Sequence, residues 1–192
     1  VFHSILLGGF LFASPVFGLN IPFTDDFESG LDNWVLSGDG TTRTELTSEF
    51  EPRSGSRHVL LSSSAEQSNA RNELTVVADL AGERYVKLSF WAKELNDEIH
   101  ASPPSPFQGG ADFDGVSISP DGINWYTIFE FPAGFLEYTQ FVINLDAEVA
   151  QRGLAYTSEF HIRISQFDDS TAPNDGILID DFSLGDVTIP GV

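Results

Sequence analysis

The chain contains no cysteine and no methionine in its 192 residues. Without cysteine there can be no disulfide, no thiolate metal site and no cysteine nucleophile. Without methionine there is no initiator, so the expectation is a fragment or a trimmed product. Positive charge is scarce: 9 Lys+Arg stand against 29 Asp+Glu, a net charge of −20. That balance argues against a nucleic-acid partner, because phosphate binding needs a cationic surface. It disfavours anionic membranes for the same reason, and it suits divalent cations. Catalytic signatures are missing as well. No HExxH, GxSxG or P-loop pattern occurs, and His3, His58, His100 and His161 are scattered. Acids are abundant enough that motif alone does not exclude a two-carboxylate hydrolase.

Long apolar runs are almost absent. The longest, "ILLGGFLFASPVFG" (5–18), is too short to span a bilayer with ease. It reads as the apolar region and cleavage site of a secretory signal, with Val16 and Gly18 at the small-residue positions. A first buried strand is the other reading. The organisation expected is therefore a truncated signal over 1–18, one domain over 19–187, and the start of a tail or linker over 188–192. A secreted or cell-surface location follows from the signal.

Past Gly18 the pattern is strands and turns. "TDDFE", "TTRTEL", "RHVLLS", "NELTVVADL", "RYVKLSFWAK", "DGVSIS", "INWYTIFEF", "TQFVINL", "FHIRIS" and "ILIDDFSL" are rich in Val, Ile, Phe, Tyr and Thr, and most alternate. "SGDG", "PRSGS", "LAGE", "SPDG" and "APNDG" read as the turns between them. Only "DAEVAQRGLAY" (146–156) has helical character. "SPDGINW" (119–125) holds a tight hairpin turn at Asp121–Gly122. Short strands without a βαβ rhythm predict an all-β antiparallel sandwich, at this length a jelly roll.

Alternation assigns faces. Val86, Leu88, Phe90 and Ala92 share one face of their strand. Tyr85, Lys87, Ser89, Trp91 and Lys93 share the other. In the last strand alternation groups Asp180 with Leu178, Phe182 and Leu184, and sets Asp181 opposite. A carboxylate among such neighbours must be protonated, ion-paired or bound to a metal. Calcium takes six to eight oxygens and mixes carboxylates with carbonyls. First and last strands of a sandwich commonly adjoin, so Asp180 could meet Asp26 and Glu28 of "TDDFESG" around one cation. Acids that merely line strand ends in water are the alternative. A second group, Asp168, Asp169 and Asp175, lies in "FDDSTAPNDG" and reads as a solvated turn or a further calcium site.

The order "DDFESGLDNW", "RSGSRHVLLS", "KLSFWAK", "DGVSISPDGINW" and "GILIDDFSL" resembles the galactose-binding-like jelly roll. It looks like the noncatalytic carbohydrate-binding modules and the MAM-type adhesion domains in particular. The resemblance runs from about Phe23 to Leu184. It implies a structural Ca²⁺ between first and last strands, held by Glu28, backbone oxygen of Ser54 or Gly55, and Asp180, with Asp26 adding oxygen. It also implies that Trp34 is a core residue. Cysteine-free composition departs from the disulfide pattern of MAM domains.

Sugar binding needs aromatic platforms beside polar groups. Tyr85 and Trp91, with His161 and Arg163 expected nearby on a solvent-facing sheet, form the ligand face expected from the sequence. The same face packed under a loop is the other reading. The function expected is a secreted, noncatalytic module that binds extracellular glycan and carries a structural Ca²⁺. A surface or matrix adhesion protein without a sugar ligand is the first alternative, and a polysaccharide hydrolase the second.

Overall fold

The computed structural model describes residues 18–65, 68–169 and 175–185. The expected signal (1–18, all but Gly18) and the tail (188–192) lie outside them. The chain is an all-β, antiparallel jelly-roll sandwich of two six-stranded sheets. Sheet I comprises β1 (Phe23–Asp25), β3 (Thr42–Thr47), β4 (His58–Ser63), β6 (Lys87–Glu94), β10 (Thr139–Asn144) and β12 (Ile177–Gly185). Its order is β10-β6-β12-β4-β3, with β1 also beside β12. Sheet II is β2-β5-β11-β8-β9-β7. Its strands are β2 (Val35–Gly40), β5 (Ala70–Ala78), β7 (Phe107–Gln108), β8 (Gly115–Ser119), β9 (Asn124–Glu130) and β11 (Phe160–Asp168). One short helix, α1 (Leu145–Gln151), leaves β10. The Asn144 side chain accepts from Ala147 N–H to cap it, and Gly153, at φ +65°, follows its end. No helix among the described residues is long and apolar enough to cross a membrane.

Alternation places the core as expected in most strands. Val86, Leu88, Phe90 and Ala92 face Phe160, Ile162 and Ile164 across the sandwich, all buried. Aromatic rings fill the space between. Phe90, Phe131, Phe135 and Phe141 form one cluster, with ring centroids 5.3–6.0 Å apart in the contacting pairs. Trp34 is buried against Phe27 and Phe182, and its indole N–H donates to Asp25 Oδ2 at 2.8 Å.

Two expectations fail, each for a local reason. "SGDG" is not a turn: Ser37–Gly40 belongs to edge strand β2. Gly38 is needed there because a Cβ would lie 2.1 Å from the Arg71 carbonyl, and Gly40 takes φ +73°. The second failure concerns β12. Asp25 pairs with Phe182, and Ile179 with Ala92, so Ile177, Ile179, Phe182 and Leu184 all point into the core. A β-bulge between Asp180 and Ser183, with Asp181 at φ +46°, inserts one residue and reverses the phase. Asp180 therefore does not share a face with Phe182 and Leu184. It lies with Leu178 and Trp91 on the outer side of sheet I, buried there by the segment over 50–57.

Candidate functional site

First and last strands do adjoin, and the loop after β3 closes over them. Asp180 is 0% exposed. Its Oδ2 accepts from Ser54 N–H at 3.2 Å, and its Oδ1 from Asp181 N–H at 2.8 Å. Burial pushes its pKa up to about 6, against those two hydrogen bonds. Asp181 is paired with Arg53 and accepts from the Ser54 hydroxyl. Glu28 grips the same loop: Ser56 Oγ, Ser56 N–H and Arg57 N–H donate to it at 2.6, 2.8 and 2.7 Å. Those bonds, the Ser56 hydroxyl's foremost, hold its pKa below the usual carboxylate value. Gly55 sits between, at φ +59°, where a Cβ would stand 2.5 Å from Glu28 Oε1. Asp26 is exposed and accepts from Glu28 N–H at 3.2 Å. With Asp25, Asn33 and Asp181 it lines an open depression of about 610 Å³. The structure thus brings Asp26, Glu28, Ser54, Gly55 and Asp180 to one clasp, whose carboxylates are served by N–H and O–H donors.

The four expected ligand residues do not share a face. Trp91 belongs to sheet I and Tyr85 stands just before its strand β6; His161 and Arg163 lie on the outer face of sheet II. Alternation fixes in or out for each strand and cannot say which sheet a strand joins. Trp91 is half-covered by the Arg53 guanidinium, 4.0 Å from the ring centroid. Tyr85 is 74% exposed and precedes β6 at φ +60°. Asp146 pins it there, accepting from Tyr85 N–H at 2.6 Å and Val86 N–H at 3.1 Å.

On sheet II, His161 and Arg163 line a hollow of about 270 Å³ with Val35, Ser37, Thr75 and Trp125. Arg163 lies flat on Trp125, 3.5 Å from the ring centroid. It donates to Thr75 Oγ1, Glu73 Oε1 and the Gly109 carbonyl at 3.2, 3.3 and 3.0 Å. The Trp125 ring is itself 1% exposed, so it forms the floor and offers no open platform. Burial lowers the His161 pKa, leaving a neutral imidazole at pH 7. Val35, on edge strand β2, is half exposed at the rim. The hollow thus combines apolar surface with several fixed donors and acceptors, the makeup of a small-ligand site.

A third assembly was only half visible in the sequence. At the end of the sandwich where β6 and β11 run out and β12 begins, Glu98, Asp114 and Asp169 stand beside His100, with Asp97, Asp168 and Asp175 in the same cluster. One carboxylate oxygen each from Glu98, Asp168 and Asp175 falls within 4.8 Å of the others, as do ligand atoms of Glu98, His100 and Asp169. An acidic cluster with metal-ligating spacing is therefore present. Burial raises Asp97 to about 10, with the Asp114 charge adding to it, although Gln166 Nε2 donates to both of its oxygens. Burial raises Asp114 to about 6, opposed by donation from Phe167 N–H, His100 N–H and the His100 ring. Asp175 is raised to about 6 by burial and then by the charges of Asp168 and Glu98. Glu98 escaped notice because it sits in an ordinary-looking "NDE" run, and only the fold carries it to Asp168 and Asp175.

No protein-family model matches the chain, and no curated protein matches it. Solved structures do share the architecture at low identity. The enzymatically active domain of bacteriophage CBA120 tailspike protein 4 is 20% identical, with a TM-score of 0.45 over 83% of this chain and 20% of that one. This chain spans only that fifth of the tailspike domain. The family 11 carbohydrate-binding module from Clostridium thermocellum, in complex with a β-1,3-1,4-mixed-linked tetrasaccharide, is 13% identical. It has a TM-score of 0.45 over 83% of this chain and 92% of that one. The K2 cleaved adhesin domain of Lys-gingipain is 14% identical, with a TM-score of 0.46 over 85% and 97%. At these scores none of them assigns a ligand or a residue role to this chain.

Proposed function

We propose that the protein is a secreted, noncatalytic module that binds extracellular carbohydrate in the hollow on the outer face of sheet II. The observation that carries this is the convergence of His161, Arg163, Ser37 and Thr75 on one concave patch with the half-exposed apolar side chain of Val35 at its rim. A sugar ring presents C–H faces and hydroxyl edges, and this patch answers both. Arg163 is locked by Trp125, Glu73 and Thr75, so little side-chain entropy is lost when it donates to a ligand. The net charge of −20 makes neutral glycans the better ligands, since acidic ones would be repelled. A structural Ca²⁺ belongs to the same reading, and the acidic cluster at the end of the sandwich offers carboxylates at metal-ligating spacing.

Tyr85 supports a second reading. It is an exposed ring on a strained backbone, beside Lys87, Asn144 and Asp146 in a hollow of about 250 Å³, and a sugar could stack there. A glycan array probed with wild type, His161→Ala, Val35→Asp and Tyr85→Ala separates the two. The proposal expects a glycan signal that falls in the first two variants and survives in the third. Loss in Tyr85→Ala alone moves the site to sheet I. No signal for wild type leaves the adhesion or matrix reading standing, and release of reducing sugar by pure protein makes it a hydrolase.

A further inference from the structure

We propose that Glu98, Asp168 and Asp175 bind one divalent cation of the Ca²⁺ class at the end of the sandwich. This extends the calcium part of the proposed function and is independent of the glycan site. Three separate elements deliver the ligands: the loop after β6, the last residue of β11, and the residue two before β12. Their oxygens lie within 4.8 Å of each other. Ligands about 2.4 Å from a common Ca²⁺ can be no farther apart than that.

Burial makes the group a site as well as a cluster. Asp168 is 1% exposed and Asp175 is 2% exposed. Asp175 Oδ2 is fully buried and accepts no hydrogen bond among the described residues. An ionised oxygen left so costs several kcal/mol, and a cation removes that cost. No lysine or arginine among the described residues forms an ion pair with Glu98 or Asp175. The oxygens of the nearby Asp97 and Asp114 are engaged by Gln166 and by Phe167 and His100, so these two residues already have partners of their own.

The scaffold fixes the chain at Asp175 through its backbone, and Asp169 N–H donates to Glu98 Oε1 at 3.2 Å. The Ser62 hydroxyl donates to the Asp175 carbonyl at 2.7 Å, and Leu95 N–H donates to the Gly176 carbonyl at 2.9 Å. Gly176, at φ +134°, lets the chain pass where a Cβ would lie 2.3 Å from the Leu61 carbonyl. Oxygen-only ligands of charge −3 select a hard cation. The clasp at Glu28 and Asp180 differs in kind, because N–H and O–H donors already occupy its oxygens.

The test is calorimetric. Whole protein is stripped with chelator, then titrated with CaCl₂, MgCl₂ or ZnCl₂, with binding heat and melting temperature both recorded. The expected result is one Ca²⁺ per chain and a melting temperature that rises with Ca²⁺ concentration. Asp175→Asn and Glu98→Gln lose both signals, while Glu28→Gln keeps them. Glu98 is only half-buried, so its variant covers the case in which Asp175→Asn fails to fold. Absence of Ca²⁺ heat in wild type overturns the proposal. So does a Ca²⁺ response abolished by Glu28→Gln and kept by Glu98→Gln, which puts the ion at the clasp. A response to Zn²⁺ alone, lost in His100→Ala, assigns the ion to the neighbouring Glu98–His100–Asp169 group and overturns it too. Glycan binding left intact in a protein with no Ca²⁺ response removes this site and leaves the sugar site untouched.

Discussion

Acid should remove the stability that neutral His58 contributes, and the size of that contribution can be worked from the structure. His58 opens β4 on the outer side of sheet I and is 0% exposed under the segment over 50–57. Its Nδ1 is hydrogen-bonded to the Tyr138 hydroxyl, and Lys93 stands over the Tyr138 ring. Burial pushes its pKa down from 6.5 to about 4, opposed by the Glu49 carbonyl and helped by the Lys93 charge. The folded state therefore holds a neutral imidazole. Below the unfolded pKa the unfolded chain binds the proton and the folded chain does not. The stability present above pH 6.5 is lost as pH falls toward 4. A shift of about 2.5 units at 1.36 kcal/mol per unit amounts to about 3 kcal/mol. Asp114, Asp175 and Asp180, each raised to about 6, work in the opposite direction over the same range. The assay must therefore compare variants: urea midpoints of wild type and His58→Gln at pH 7 and pH 4.5. Wild type should lose about 2–3 kcal/mol more than His58→Gln over that interval. Equal losses in the two proteins would refute a buried neutral His58.

Two further outcomes concern the fold. Gly55→Ala should destabilise by about 1–2 kcal/mol from the left-handed backbone alone, and by more once the new methyl displaces Glu28; denaturant titration measures it. Phe90→Ala, in the middle of the phenylalanine cluster, should cost about 3–5 kcal/mol without changing the far-ultraviolet dichroism of the remaining sheets.

The strand inventory and inward faces could be read from alternation, because β6, β8 and β11 set apolar core residues at every second position for most of their length. Edge strand β2 could not: its residues are all exposed, and its glycines look like a turn until Arg71 is seen packed against Gly38. The phase reversal in "IDDFSL" was equally hidden, since the left-handed residue there is Asp181 and no glycine marks the bulge. Hence Asp180 does need partners, but it lies on the outer side of the sheet where strict alternation puts it on the inner. Backbone N–H groups from Ser54 and Asp181 supply them. The meeting of β1 with β12 was legible from the acidic runs at both ends. The division of Tyr85 and Trp91 from His161 and Arg163 was not, because sheet membership is a matter of topology. The end cluster is the same lesson at longer range. Asp168 and Asp175 stand close in sequence, but Glu98 joins them only when β6 and β11 finish at one end of the sandwich.

The central claim is that the outer face of sheet II holds a glycan. Titration of isotope-labelled protein with a neutral oligosaccharide, followed by amide chemical shifts, tests it most directly. The account predicts saturable shifts centred on Ser37, Thr75, His161 and Arg163, and small ones at Tyr85. Shifts confined to Tyr85 and α1, or none with any oligosaccharide, would contradict it.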